Sequence, residues 1–407
     1  MKKSKKHWHI RMSQTHISIK HIHATLLLVF GIGAEAALAN EEVNVRINGF
    51  ASFVGGITAK KNDHVLEYGN NLSFNEDSIF GLQTSADIEN NITLVSQFVS
   101  RGGDDFETKI EWAYASYRVG QKTSIRVGKL RAPFYEYSES LEIGYSYHWI
   151  RPPIETYFLP LTSVSGGVGV VHEWSTENMS GDLNMTYGTA DQELKIPESS
   201  LSGDPERLFS VDLNDLYIIS GSLSWNSLRF RASYGRAREL TASNDETELL
   251  SAVFPEEVSR DVLMSEKPAD FMGFCAFFEK DYLFFGMEYT VVDWARNVLI
   301  SDQDAFYLTG GIKKENSTFH LTYAKVDSKT EKFSYPAPIP STSNPWEQSS
   351  WTAGWRYDIT NNSAIKVEYA AFSDDHQKGL PGHPVNRSGS RYDEEPKLLS
   401  FALDFVF

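Results

Sequence analysis

Hydrophobic and polar residues alternate along many short segments of this chain. Between residues 397 and 407 the odd positions from 399 onward are all apolar, whereas Ser400 and Asp404 lie on the opposite face. Successive side chains of a β-strand point to opposite faces, so this period of two predicts a strand with one apolar side. Residues 228–236 and 351–358 alternate in the same way and predict further strands of this kind.

The complete pattern predicts an all-β fold of sixteen two-faced strands. They span residues 43–58, 76–88, 91–101, 108–119, 121–130, 165–174, 181–187, 215–226, 228–236, 269–279, 282–292, 304–314, 317–327, 348–359, 362–372 and 397–407. Strands 1, 4 and 10 do not keep one parity throughout, which predicts β-bulges in them.

The connections between these strands are sorted by length. Most even-numbered strands are followed by tight turns such as Glu89-Asn90, whereas most odd-numbered strands are followed by long polar segments. This sorting is typical of a membrane barrel with tight periplasmic turns at one end and large loops at the other. A soluble β-sandwich need not sort its loops and would bury its apolar faces against each other. We therefore predict a 16-stranded antiparallel transmembrane β-barrel with both termini periplasmic.

Composition narrows the classes of function. No run of about 18 apolar residues exists, so the chain has no candidate membrane helix. Residues 1–39 combine a basic start, a short apolar core and the sequence Ala37-Leu38-Ala39, which predicts a signal peptide followed by a barrel at 40–407. Removing it takes 6 of 38 Lys and Arg and 1 of 54 Asp and Glu, which leaves 32 against 53 and a net charge of −21. Such a charge argues against nucleic acid as a partner and favours attraction of cations.

Three segments carry a resemblance to a known family. The stretch 78–92, SIFGLQTSADIENNI, is similar to a motif of the general porins of Gram-negative bacteria, and 111–117, EWAYASY, resembles their fourth strand. Val127-Gly128-Lys129 followed by Pro133 resembles their step into the third external loop. The final strand resembles the closing strand of outer-membrane barrels, whose terminal Phe, here Phe407, is read by the barrel-assembly machinery.

The resemblance implies an outer-membrane location among lipid and lipopolysaccharide, a homotrimer, and a water-filled channel for passive diffusion of small hydrophilic solutes and ions. It also implies that the third external loop, here 131–164, folds into the barrel and narrows the channel. The loop carries Glu136, Glu139 and Glu142, and several bases of the family's channel wall are replaced, at Ile79, Gln83 and Glu111. A ring of carboxylates favours cations, so we expect mild cation selectivity. The candidate constriction residues are Glu136, Glu139, Glu142, Arg46, Glu111, Arg126, Lys129 and Arg131.

Residues that could support catalysis or metal binding do not form a recognisable motif. The six histidines beyond residue 39 show no H-E-x-x-H or similar spacing, and Cys275 is the single cysteine. We therefore expect no cofactor, no metal, no catalytic residue and no enzyme activity. Three alternatives stay open: a substrate-specific channel for sugars or small organic acids, with the loop tyrosines as a stacking track, a barrel adhesin, and an outer-membrane enzyme.

Overall fold

The computed structural model describes residues 44–60, 65–66, 68–157, 161–197, 206–243, 267–295, 301–329, 332, 347–374 and 396–407. The predicted signal peptide at 1–39 lies outside these residues, so its cleavage stays a prediction. Sixteen strands are present: β1 Asn44–Thr58, β2 Ile79–Glu89, β3 Ile92–Arg101, β4 Thr108–Val119, β5 Thr123–Arg131, β6 Ser163–Ser175, β7 Met179–Pro197, β8 Glu206–Trp225, β9 Leu228–Ser243, β10 Lys267–Lys280, β11 Leu283–Asp293, β12 Gln303–Lys314, β13 Ser317–Ser328, β14 Glu347–Thr360, β15 Ser363–Asp374 and β16 Lys397–Val406.

Short 3-10 helices occupy Gly102–Asp104, Ser138–Ser140 and Gly144–Ser146. Within the described ranges, none of the helices is long and apolar enough to cross a membrane.

The strands form one closed barrel in which each strand pairs with its neighbours in the chain and β1 pairs with β16. All of these pairings are antiparallel, and β1 meets β16 from Phe50 opposite Val406 to Thr58 opposite Leu398. Gly49 and Phe407 extend the ladder, since each donates its backbone N–H to the carbonyl of the other at 2.8 and 2.9 Å. The predicted 16-stranded antiparallel barrel is confirmed.

Inward and outward positions alternate along each strand. On β11, Phe284, Glu288 and Val292 are buried, whereas Phe285 and Tyr289 are exposed. Large apolar side chains are exposed in the same way on the outer face of most other strands. A closed barrel with an apolar outer surface satisfies all its backbone hydrogen bonds while facing lipid. The fold therefore confirms that the protein lies in an outer membrane.

Three strands extend much further than predicted. The sequence predicts loops at 188–214 and 237–268. In the structure β7 continues to Pro197 and β8 begins at Glu206 within the first segment, and β9 continues to Ser243 within the second. Polar residues in these extensions obscured the strand signal. Their backbones still pair, with Asp191 opposite Asp212 and Gln192 opposite Val211, because ladder hydrogen bonds do not depend on apolar side chains.

The bulge predictions have mixed outcomes. In β4 the register shifts at Glu111, so the prediction for β4 is confirmed. Between β9 and β10 two residues of β9, 238 and 239, oppose one residue of β10, so the extra residue lies in β9 and the prediction for β10 is wrong. The prediction for β1 is wrong, since its pairing with both neighbours is regular. Its parity is obscured because aromatic rings from the following segment cover both faces of its end: Phe74 lies over Gly55 and Tyr68 over Gly56.

A further irregularity, between β5 and β6 at Gly128, leads into the long connection after β5. Gly128 has a φ of +137°, and a Cβ there would lie 2.4 Å from the carbonyl oxygen of Ala113. This region of backbone space is accessible essentially to glycine alone.

We expect Gly128→Ala to lower the free energy of unfolding by about 1–3 kcal/mol, because the new Cβ adds strain and meets backbone that cannot move aside. Urea unfolding of the barrel in lipid vesicles measures this. Gly166→Ala on the neighbouring β6 is the matched control, since its Cβ would meet only the Thr189 hydroxyl, at 3.9 Å. Equal stability of the two variants would contradict the assigned backbone strain.

Candidate functional site

The connection from β5 to β6 contacts side chains that point into the barrel. The Trp149 indole N–H donates to Thr322 Oγ1 at 2.9 Å, and the Ile150 backbone N–H donates to Glu368 Oε1 at 2.8 Å. The Glu136 backbone N–H donates to Glu288 Oε1 at 2.9 Å. These acceptors lie on the inward faces of β13, β15 and β11, on strands far from β5 around the wall. We refer to the described residues of this connection, 132–157 and 161–162, as the inner segment.

The inner segment also approaches the tight-turn end. The Tyr145 hydroxyl donates to the carbonyl of Thr360, the last residue of β14, at 3.4 Å. Arg356 donates to the carbonyls of Tyr145 and Tyr147 at 2.7 Å each. Lys366, fully buried, donates to the carbonyls of Gly144 and Trp149 and pairs with Asp404 at 2.8 Å. Two cations of the wall therefore bind backbone carbonyls that would otherwise lack partners inside the barrel.

The aromatic rings of the inner segment pack against one another rather than lining a path. Tyr135 and Tyr157 stack at 4.6 Å between ring centroids, and Trp149 contacts Tyr307 of β12 edge to face at 5.4 Å. Tyr135, Tyr147 and Trp149 are all buried. The alternative of a stacking track for sugars gains no support from these three rings, because they are buried against other side chains.

Glu142, one of the predicted constriction acids, lies in a buried four-residue charge cluster. Its Oε1 lies 2.8 Å from Arg101 and 3.2 Å from Arg131, and these two arginines also contact Glu111 at 2.7 and 3.4 Å. Burial acts to raise the pKa of Glu142, but the charges and hydrogen bonds of Arg131 and Arg101 outweigh it and hold the pKa below its ordinary value. With two acids and two bases, the charge cluster is neutral and fastens the inner segment to β3, β4 and β5.

The other two loop acids have different environments. Glu136 pairs with Arg229 of β9 at 2.8 Å and is largely covered. The Glu139 side chain is 70% exposed, with Arg126 at 3.8 Å. Of the three acids, Glu139 is thus the one whose carboxylate faces open space inside the barrel.

Two predicted constriction bases lie elsewhere. Arg46 pairs with Asp87 at 2.6 Å near the tight-turn end of β1, remote from the charge cluster. Lys129 lies on the outward face of β5, like the exposed Val127, because Leu130, which follows Lys129, is buried on the inward face. The Lys129 ammonium donates to the Ile110 carbonyl at 2.7 Å. Placing these two residues at the constriction was wrong, because alignment by motif does not resolve depth along a strand or parity after a bulge.

The basic residues that do contact the inner segment come largely from strands that were not singled out. Arg229, Arg231, Arg356 and Lys366 lie on β9, β14 and β15 and bind loop carboxylate or carbonyl groups. Their inward orientation follows from the alternation within these strands, so the parity pattern contained a signal for them. The expected loss of positive charge at Ile79, Gln83 and Glu111 is therefore offset on the opposite wall.

Comparisons with known proteins support the architecture. The sequence matches no protein-family model and no curated protein sequence. An anion-selective porin from Comamonas acidovorans is similar in structure, with a TM-score of 0.56 and 11% identity over 90% of this chain and 100% of that one. OmpF of Salmonella typhi in complex with daunomycin gives 0.53 and 12% over 89% and 97%. OmpT with a deletion of loop L8, an outer-membrane protein of Vibrio cholerae, gives 0.54 and 10% over 90% and 100%. At such low sequence identity, the structural similarity shows that this chain shares the fold of outer-membrane barrels.

The expectation that the chain is not an enzyme must be corrected. Structures of OmpT, an outer-membrane protein of Vibrio cholerae, match as well as the porins do, and at 10% identity this similarity shows the barrel fold and neither establishes nor excludes an enzyme activity. One barrel fold can support different chemistry, because function depends on side chains placed on the fold. The exclusion of enzyme activity is therefore withdrawn.

We expect Glu142→Gln to loosen the inner segment, because Arg101 and Arg131 then share only Glu111. Breaking a buried ion pair in this way costs roughly 2–3 kcal/mol, which corresponds to a rise of about 30- to 150-fold in the amide exchange of residues 135–150. Hydrogen–deuterium exchange measures it. Glu139→Gln is the matched control and should change exchange by less than about threefold, since an exposed charge contributes little. Equal effects would refute the anchoring role of the charge cluster.

The same segment should loosen in acid. Because the pKa of Glu142 lies below its ordinary value of 4.5, its contribution is complete above that pH and lost as the pH falls through the lowered value. The opening of residues 135–150, measured as exchange corrected for its intrinsic pH dependence, should therefore rise in the wild type as the pH falls through that lowered pKa. Glu142→Gln should show a smaller rise, and an unchanged pH dependence in this variant would contradict the assignment.

Proposed function

We propose that the protein is a porin of the general diffusion type, a water-filled channel that lets small hydrophilic solutes and ions cross the outer membrane. The observation that carries this proposal is a closed barrel whose interior holds charged side chains, on the wall and on the inner segment, that stay partly exposed. Glu139, Arg229 and Arg126 have side-chain exposures of 70, 44 and 28%. Nearby on β7 and β8 the inward residues include Asn184, Thr186 and Ser220. Exposed charge inside a closed wall needs water around it.

In this proposal the inner segment forms the constriction. It contacts inward side chains from β9 round to β16, and its Glu139 carboxylate stays exposed beside Arg126 of β5. Glu136 and Glu142 are paired with arginines, so their charges are largely compensated at short range. Charges further away than about 8 Å are screened at physiological salt, so the net charge of the chain has little influence on permeating ions. We therefore propose weak cation selectivity determined mainly by Glu139.

A homotrimer embedded in lipid and lipopolysaccharide is part of the proposal. OmpT of Vibrio cholerae was solved in a trimer form and supports it by similarity of fold. On β4, Ala113 and Ala115 share the outward parity of the exposed Tyr117, and small outward residues permit close packing of neighbouring barrels. Phe407, whose ring is exposed beside Gly49, is the proposed contact for the barrel-assembly machinery.

Conductance of the purified protein in planar bilayers tests the channel. We expect steady single-channel currents and, in a KCl gradient, a reversal potential that slightly favours potassium. Glu139→Gln should shift the reversal potential towards chloride because it removes the exposed carboxylate. Arg229→Gln should shift it towards potassium because Glu136 loses its partner.

Lys129→Gln is the control for these variants, since it removes the same charge as Arg229→Gln from the outward face and should leave the reversal potential unchanged. A protein that inserts but conducts no ions would refute the channel. A reversal potential that does not respond to Glu139→Gln would refute its role in selectivity.

A further inference from the structure

The inner wall of the barrel is not polar throughout. Towards the long-loop end, a continuous group of buried apolar side chains extends across the inward faces of β6 to β13. It includes Leu213, Leu216 and Phe271 of the wall together with Phe134 and Leu161 of the inner segment. A passage for hydrophilic solutes alone has no need of such a surface, because water wets it poorly.

An open cavity of about 50 Å³ lies within this apolar group. Phe134, Phe271 and Trp294 contribute aromatic rings, and Leu216 and Val292 contribute aliphatic groups. A single water molecule needs roughly 10–15 Å³ measured in this way, so the space accepts a small organic group. We refer to this cavity as the apolar chamber.

Polar groups at the apolar chamber are few. The carboxylate of Asp270, whose residue contributes to the lining, accepts a hydrogen bond from the Tyr234 hydroxyl at 2.6 Å and pairs with Arg236 at 3.3 Å. Gln192 is the one other polar residue among the described lining residues. The chamber therefore presents an apolar surface with a single neutral amide at its edge. That chemistry disfavours an ion or a free sugar as the occupant, since neither could replace its lost hydration.

We propose that the apolar chamber binds the aromatic ring or short alkyl group of a small amphipathic solute, with the polar part of the solute remaining in water. The enclosing wall excludes a macromolecular occupant. This site rests on the proposed channel for access of the solute but not for binding itself. Burial of a phenyl ring removes enough apolar surface to strengthen binding on the order of tenfold or more over a methyl group.

The experiment compares two glycosides that differ only in this group. Calorimetric titration of the full-length barrel in lipid nanodiscs uses phenyl β-D-glucoside and methyl β-D-glucoside, with empty nanodiscs subtracted. The wild type should bind the phenyl compound on the order of tenfold or more tightly. Ala269→Phe on β10 should abolish that preference, because the new ring fills the chamber that Ala269 lines. Ala276→Phe places the same ring on the outward face of the same strand and should preserve it.

A second pair of variants changes polarity at constant size. Val292→Thr adds a hydroxyl inside the chamber and should weaken phenyl glucoside binding several-fold, whereas Val291→Thr adds it on the opposite face of β11 and should not.

A wild type without phenyl preference, or a preference that survives Ala269→Phe, would overturn the site. Single-channel conductance of each variant is recorded separately. Conductance without phenyl preference refutes the chamber alone, and phenyl preference without conductance refutes the channel alone.

Discussion

The pairing of β1 with β16 is the interaction on which the rest of the structure depends. A backbone N–H or C=O left unpaired in the hydrocarbon core costs several kcal/mol, so strands can cross a membrane only when the sheet has no edge. Antiparallel pairing from Phe50 opposite Val406 to Thr58 opposite Leu398 removes both edges. Closure then gives every strand one lipid face and one inner face, and this division determines where apolar and charged residues can lie.

The interior of the barrel imposes a second constraint, which is met largely by charged side chains that bind the inner segment. A segment inside the barrel must find partners for its own backbone groups, and here Arg356, Lys366, Glu288 and Glu368 supply them from the wall. The carboxylates of Glu136 and Glu142 are in turn held by arginines. Glu136 and Glu142 therefore hold the segment in place, whereas Glu139 of the same acidic set stays exposed.

The inner wall is divided along the barrel axis as well. Polar side chains such as Asn184 and Ser220 lie on the parts of β7 and β8 nearer the tight turns, whereas Val211, Leu213 and Leu240 lie towards the long loops. The two ends of the inner segment pack against the apolar part of the wall. The apolar chamber lies beside Phe134 in this part. The inner wall is therefore polar nearer the tight turns and apolar nearer the long loops.

The sequence by itself determined the strand number, the antiparallel closed barrel and the place of the long connection after β5. These follow from period-two alternation and loop sorting, which are local and repeat along the chain. It also identified Glu142 and Arg131 as members of one site. Only the tertiary structure decided that Lys129 points outward after a bulge, that Arg46 lies at the other end, and that Arg229 and Lys366 meet the inner segment. Depth along a strand and contact across the barrel depend on register summed over many strands, and no local pattern records that sum.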